Sequence, residues 1–249
     1  MEKTLKPIHY LALSILLIVL TSKAMASDIS DTKLKKDGYA GEAEAGINIT
    51  SGNTNSSIGH GHLVVDFLYG HWRHNTDFET NYTKDSGVVS AERYYASYKA
   101  NREWSKTFYT YGLITYENDR FNGFDHTVTT SLGYGHQLYH SDNMKLIMEI
   151  GPGWRHNETS SNSNEGIFRL AFNYQWEISK SATFHQKLTN EAGSNNTLTR
   201  TVSSISSTIW GPLALKASVT VTHQTHPIDD DEQPKHLDTL TALTLLYSF

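Results

Sequence analysis

From Tyr39 onward, apolar and polar residues alternate along most of the chain. Tyr39, Ala43, Ala45, Ile47 and Ile49 share one side of a segment whose other side carries Glu42, Glu44 and Asn48. Next, Leu63, Val65, Phe67 and Tyr69 oppose His60, His62 and Asp66. A third segment sets Trp72, His74, Thr76, Phe78, Thr80 and Tyr82 against Arg73, Asn75, Asp77, Glu79 and Asn81. A two-residue side-chain period is that of a β-strand. Nine further segments, near 92–104, 107–117, 125–138, 144–156, 166–178, 182–191, 197–210, 213–223 and 237–249, bring the expected total to twelve. The weakest is 197–210, where Ser and Thr occupy both faces.

A face that carries ionisable groups along its whole length does not fit a dry core, so each strand has one oily and one wet side. Segments of this length suit the 9 to 11 residues of a tilted strand crossing hydrocarbon, and repeated dyad alternation is the signature of a transmembrane barrel. The expected fold class is therefore an all-β, antiparallel, up-and-down transmembrane barrel of about twelve strands, occupying residues 37–249. Its connections divide into two sets. Gly70–His71, Ser105–Lys106, His140–Asn143, Ser179–Ser181 and Gly211–Pro212 form one rim of short turns. The longer, polar stretches SGNTN, KDSGVVSA, NDRFNGF, HNETSSNSNE, AGSNN and QTHPIDDDEQPKH form the other, as expected for periplasmic turns and outer loops.

Trp72, Trp104, Trp176 and Trp210 all fall beside the short turns, which predicts an aromatic girdle at headgroup level. The chain stops in mid-strand, with Thr241, Leu243, Leu245, Tyr247 and Phe249 on one face. In a closed barrel that flush apolar end pairs with the first strand and is no longer an edge.

The N-terminus supplies the context. Lys3 and Lys6 precede the apolar run Leu11–Leu20, and Ala24 and Ala26 form an A-x-A site, the pattern of a secretory signal peptide cleaved after Ala26. Residues 27–36 then form a short N-terminal periplasmic segment. Cleavage removes three of the 21 basic and one of the 26 acidic residues, leaving 223 residues with a net charge of −7. An acidic chain without clustered Lys and Arg excludes nucleic acid as a partner. The absence of cysteine excludes disulfide scaffolds and thiolate metal sites.

Four blocks carry a resemblance: GEAEAGINITSGNTN at 41–55, YENDRFNGFDH at 116–126, LGYGHQL at 132–138 and EIGPGWR at 149–155. They resemble the family catalogued as domain of unknown function 481, whose members are described as salt-induced outer-membrane proteins. Trp154 stands where the family pattern favours Tyr or Phe after GPG. Tyr247 and Phe249 resemble the C-terminal signal by which outer-membrane barrels are recognised for insertion. The resemblance implies a barrel in the outer membrane of a Gram-negative bacterium, with membrane lipid and the barrel-assembly machinery as partners. It carries over no catalytic residues.

The expected lumen carries Glu42, Glu44, Asp66, Asp77, Glu79, Glu117, Glu149 and Glu191 against Arg73, Arg93, Lys99, Lys145, Arg169, Lys187 and Lys216. Selective pores use rings of one sign, whereas a balanced set can neutralise itself by pairing across the bore. Two readings stay open: a narrow, weakly selective channel for small solutes or ions, and a structural barrel plugged by ion pairs. Either is linked through the resemblance to envelope or salt stress. No cofactor is expected and no enzyme activity.

An alternative is a lipid-modifying hydrolase with His126 as base, but Ser131 would lie on the opposite face of the same strand. A second alternative is a soluble periplasmic ligand-binding barrel, with its apolar face inward. His60 and His62 share a wet face, but two such imidazoles need a third converging ligand to hold a metal. The acidic stretch Ile228–Gln233 lacks the ligand spacing of an EF-hand.

Overall fold

The structure, a computed structural model, describes residues 37–50, 56–86, 88–119, 124–158, 163–226 and 236–249. The signal-peptide residues Ala24 and Ala26, the segment 27–36, the SGNTN turn and the Ile228–Gln233 stretch lie outside the described residues.

Twelve strands form a single closed barrel. They are β1 (Gly38–Thr50), β2 (Ser56–Tyr69), β3 (Trp72–Asp85), β4 (Val88–Glu103), β5 (Phe108–Asp119), β6 (Phe124–His140), β7 (Met144–Glu158), β8 (Ser163–Glu177), β9 (Ala182–Gly193), β10 (Thr197–Trp210), β11 (Leu213–Gln224) and β12 (Leu237–Ser248). Each strand pairs antiparallel with its chain neighbours, and β12 closes on β1.

The closing seam is the shortest pairing. It runs from Glu42↔Ser248 to Ala45↔Leu245, four positions, against thirteen between β1 and β2. The last residue extends it: Gly41 donates to the Phe249 carbonyl and Phe249 donates back to Gly41, both at 2.9 Å. The Phe249 ring fills the space that a Cβ on Gly41 would occupy, so any larger residue at 41 would have to displace the ring. The flush C-terminus therefore completes the barrel wall.

Strand lengths run from 12 residues in β5 to 17 in β6. That exceeds what hydrocarbon requires, so the strands project beyond an apolar band. One expectation is corrected by this. The stretch Lys84–Ala91 is no long loop, because β3 continues to Asp85 and β4 starts at Val88, paired through a bulge at Thr83/Lys84. In the β7–β8 hairpin, likewise, pairing extends to Asn157↔Ser163, inside the stretch expected as a loop. Backbone ladders do not need apolar side chains, so pairing outlasts the alternation that reveals it.

The polarity of the wall is inverted relative to a water-soluble protein. On β12, Leu243 is 64 % exposed while its neighbour Thr244 is 2 % exposed; on β7, Trp154 is 52 % exposed and Arg155 2 %. Phe67, Phe78, Tyr94, Ile114, Leu132, Phe168, Ile205 and Leu215 also face outward. The interior holds Glu44, Glu149, Arg155, Glu165, Arg169 and Glu191 instead of a large apolar core. This rules out a soluble ligand-binding barrel, whose apolar face lines the inside. The fold is a transmembrane-type barrel, with its outer band suited to lipid.

A luminal ion-pair network as the candidate functional site

Inward positions repeat every second residue, so a charge placed in phase with the pleat enters the bore. Register then decides which charges meet. Four clusters result.

In the first, Glu149 of β7 accepts hydrogen bonds from Lys99 Nζ of β4 at 2.8 Å, Tyr109 Oη of β5 at 2.7 Å and Arg169 Nη1 of β8 at 3.0 Å. Arg169 also lies over the Tyr111 ring at 5.6 Å. The glycines of the LGYGHQL block make room here: the Tyr109 ring sits where a Cβ on Gly135 would be. Ser131, on the same face, donates to the Pro152 carbonyl at 3.0 Å.

The second cluster crosses the bore. Arg200 Nη2 of β10 donates to Glu79 Oε2 of β3 at 3.1 Å, and Glu79 also pairs with Arg93 at 3.0 Å, which in turn pairs with Glu117. Arg93 and Arg200 both lie over the Tyr95 ring, at 5.5 and 5.8 Å. β3 and β10 are five strands apart by the shorter way round. Twelve strands about 4.8 Å apart, tilted by roughly 40°, close at about 24 Å across. A round wall of that size would hold these side chains apart, so their contact means that the two walls approach one another here.

The third cluster sits by the closing seam. Lys216 of β11 donates to Glu44 of β1 at 2.6 Å, and His62 of β2 spans Glu44 at 3.0 Å and Asp77 at 2.9 Å. With a carboxylate oxygen at each ring nitrogen, both nitrogens must donate, which fits the imidazolium form. The fourth, toward the loop end, joins Arg155 to Glu165 at 3.1 Å and to Glu191 at 2.8 Å. Glu165 also accepts from the Asn195 and Asn196 amides, tying the β9–β10 connection over the bore.

The expected luminal residues thus fall as follows. Glu44, Asp77, Glu79, Lys99 and Glu149 lie in the clusters, and Arg73 pairs with Glu103 at 3.3 Å near the turn end. Glu42 points inward beside Glu44 on β1. Lys187 points inward without a hydrogen bond or ion pair among the described residues, with Asp77, Lys99, Arg169 and Arg200 as its charged neighbours. Arg155, Glu165 and Arg200 join the expected luminal charges. Their signal was parity: each follows the phase of Arg169, Glu191 or Lys187 on its own or an adjacent strand.

Trp72, Trp104, Trp176 and Trp210 stand at the short-turn end, beside the turns that follow β2, β4, β8 and β10. Trp72, Trp104 and Trp210 are exposed on the outside, whereas Trp154 faces outward toward the opposite end. Tyr247 stacks on Phe249 with ring centroids 6.3 Å apart.

Two other groups stay apart. His126 faces outward, stacked on Tyr116 at 5.6 Å and paired with Glu158 at 2.8 Å, while Ser131 faces inward, so the two form no dyad. His60 bonds to Asn81 at 2.6 Å. No group of three His, Asp or Glu side chains is placed to hold a metal ion among the described residues.

The sequence profile of the protein family of unknown function DUF481 matches residues 43–249. The chain belongs to this family. An uncharacterized protein of Escherichia coli (strain K12), YdiY, is 26 % identical over 226 residues, covering 88 % of this chain and 87 % of that one. Among solved structures, the translocator domain of autotransporter NalP from Neisseria meningitidis aligns with a TM-score of 0.51 at 11 % identity, covering 97 % of this chain and 95 % of that one. The COG4313 outer membrane channel from Pseudomonas putida F1 aligns with a TM-score of 0.50 at 10 % identity, covering 89 % of this chain and 98 % of that one. At such identities the likeness is one of fold: these neighbours are outer-membrane barrels, and this chain has their architecture.

Proposed function

We propose that the protein is an outer-membrane barrel of Gram-negative type whose bore is held nearly closed by side-chain ion pairs, and that it passes small ions narrowly as those pairs loosen. The observation that carries this reading is the Arg200–Glu79 pair, which joins opposite walls, with Lys99–Glu149–Arg169 occluding the bore beside it. Both crossings have partly solvated members: side-chain exposure is 23 % for Arg200 and 24 % for Lys99. Solvated pairs are screened by salt, whereas the Arg155–Glu165 pair, at 3 % and 1 %, is shielded and keeps the loop end fixed. A barrel closed at low ionic strength and looser at high ionic strength fits a role in salt or envelope stress.

In this reading residues 1–26 direct export, Tyr247 and Phe249 present the insertion signal to the barrel-assembly machinery, and the four tryptophans anchor the short-turn rim at the periplasmic headgroups. Balanced luminal charge gives weak selectivity. The protein needs no cofactor and catalyses no reaction.

Planar-bilayer recordings of the refolded mature chain test the proposal. Unitary conductance should be small, should rise more steeply than bulk conductivity between 0.1 and 1 M KCl (over which the screening length falls roughly threefold), and should increase in a Glu79→Gln, Arg200→Gln double variant. Absence of unitary events in both proteins at every salt concentration would leave a purely structural barrel.

A further inference from the structure

One cation stands on the lipid side of the wall. Arg102, next to last in β4, is cross-strand partner to Trp72 at the start of β3, and both share the outward phase of Tyr94 and Tyr98. Its guanidinium lies over the Trp72 ring at 5.4 Å and over the Trp104 ring at 4.8 Å. Both platforms are fixed. Trp72 stacks on His74 at 6.3 Å, and His74 is hydrogen-bonded to Tyr98 Oη at 2.7 Å. Trp104 Nε1 donates to Thr110 Oγ1 at 2.9 Å.

Arg102 has no hydrogen bond or ion pair among the described residues, and the adjacent carboxylate, Glu103, is turned inward to Arg73. With its carbon over two rings and no partner on its nitrogens among the described residues, the guanidinium keeps its five N–H donors available, in a planar fork that matches two oxygens of a phosphate. A tryptophan belt marks the headgroup level of the membrane. An uncompensated, half-exposed guanidinium at that depth is open to an anion, and the anion that membranes supply there is the phosphodiester of a glycerophospholipid.

We propose that Arg102, with Trp72 and Trp104, forms a binding site for one phospholipid headgroup phosphate in the leaflet at the short-turn rim. The aromatic rings flank the glycerol region while the guanidinium fork takes the phosphate oxygens. A fixed lipid there would hold the β3–β4–β5 wall at a set depth.

The test uses the full mature chain, refolded in a non-ionic detergent micelle and titrated with phosphatidylglycerol under native mass spectrometry. Wild type should retain one lipid, and Arg102→Gln should weaken that retention about tenfold or more, the scale of a charge-assisted bidentate contact. Arg102→Lys should fall between them, because it keeps the charge and loses the fork. Each variant is first checked for folding by its heat-dependent gel mobility. If Arg102→Gln misfolds, Arg102→Lys together with Trp104→Leu decides the matter. Undiminished lipid retention in the folded variants would overturn the site, and displacement of the lipid by equimolar inorganic phosphate would make it a free-anion site and not a lipid one.

Discussion

Replacing Glu149 with Gln removes the charge on which three luminal donors converge while keeping the side chain's size. Two cations are then left facing one another across the bore. Removing one member of a buried ion pair costs about 3 to 5 kcal/mol, chiefly through the charge left behind. Arg169, at 6 % side-chain exposure, carries nearly the full penalty, whereas Lys99, at 24 %, is relieved in part by water. The amide oxygen can still accept from Tyr109, which returns a fraction. The expected loss is about 3 kcal/mol, or roughly a hundredfold in the folding equilibrium.

The assay is urea unfolding of the mature chain in phosphatidylcholine vesicles, followed by tryptophan fluorescence and by gel mobility with and without heating. A second variant sharpens it. Adding Lys99→Met to Glu149→Gln removes one stranded cation, so the double variant should recover about 1 kcal/mol or more over the single one. If Glu149→Gln stays within about 0.5 kcal/mol of wild type, as ordinary surface changes do, the network is not buried as described.

Three further outcomes follow from the same geometry. Gly41→Val drives a branched side chain into the Phe249 ring at the shortest seam, and overpacking of this kind costs about 1 to 3 kcal/mol, so the heat-modifiable fraction after refolding should fall. Leu243→Arg puts a charge on the lipid face midway along β12 and should cost about 2 to 4 kcal/mol in vesicle-based unfolding, whereas Ala242→Arg, one residue away on the luminal face, should cost less. His62→Gln leaves Glu44 and Asp77 without their shared cation, so reversal potentials in a KCl gradient should shift toward cation preference.

The alternation of Leu243, Leu245 and Tyr247 with inward neighbours, and of Phe168, Leu170 and Phe172 with Arg169, is enough to find every strand and, β10 apart, its two faces. It worked because the pleat enforces a period of two whatever the neighbours are. The pairing of Arg200 with Glu79 was not legible. The two residues are 121 positions apart, and their meeting depends on strand order, stagger and the narrowing of the wall, none of which alternation encodes. Arg200 also sits in the segment where Ser and Thr occupy both faces, so its phase was blurred there. Loop lengths were overread because Lys84, Asp85 and Ser163 remain in the backbone ladder after the apolar face has ended. The tryptophan rim was plain, yet the Arg102 platform on it needed the cross-strand register of β3 and β4.

In this barrel lipid solvates the outer face and water the inner one. Single spin labels at Leu243 and Ala242, adjacent on β12, test this in vesicles by collision with oxygen and with a water-soluble nickel chelate. The label at Leu243 should be relaxed by oxygen and spared by nickel, and the label at Ala242 should show the reverse or be shielded from both. Nickel access at Leu243 together with oxygen access at Ala242 would mean that the wall is turned inside out, and the network described above would then not line a bore.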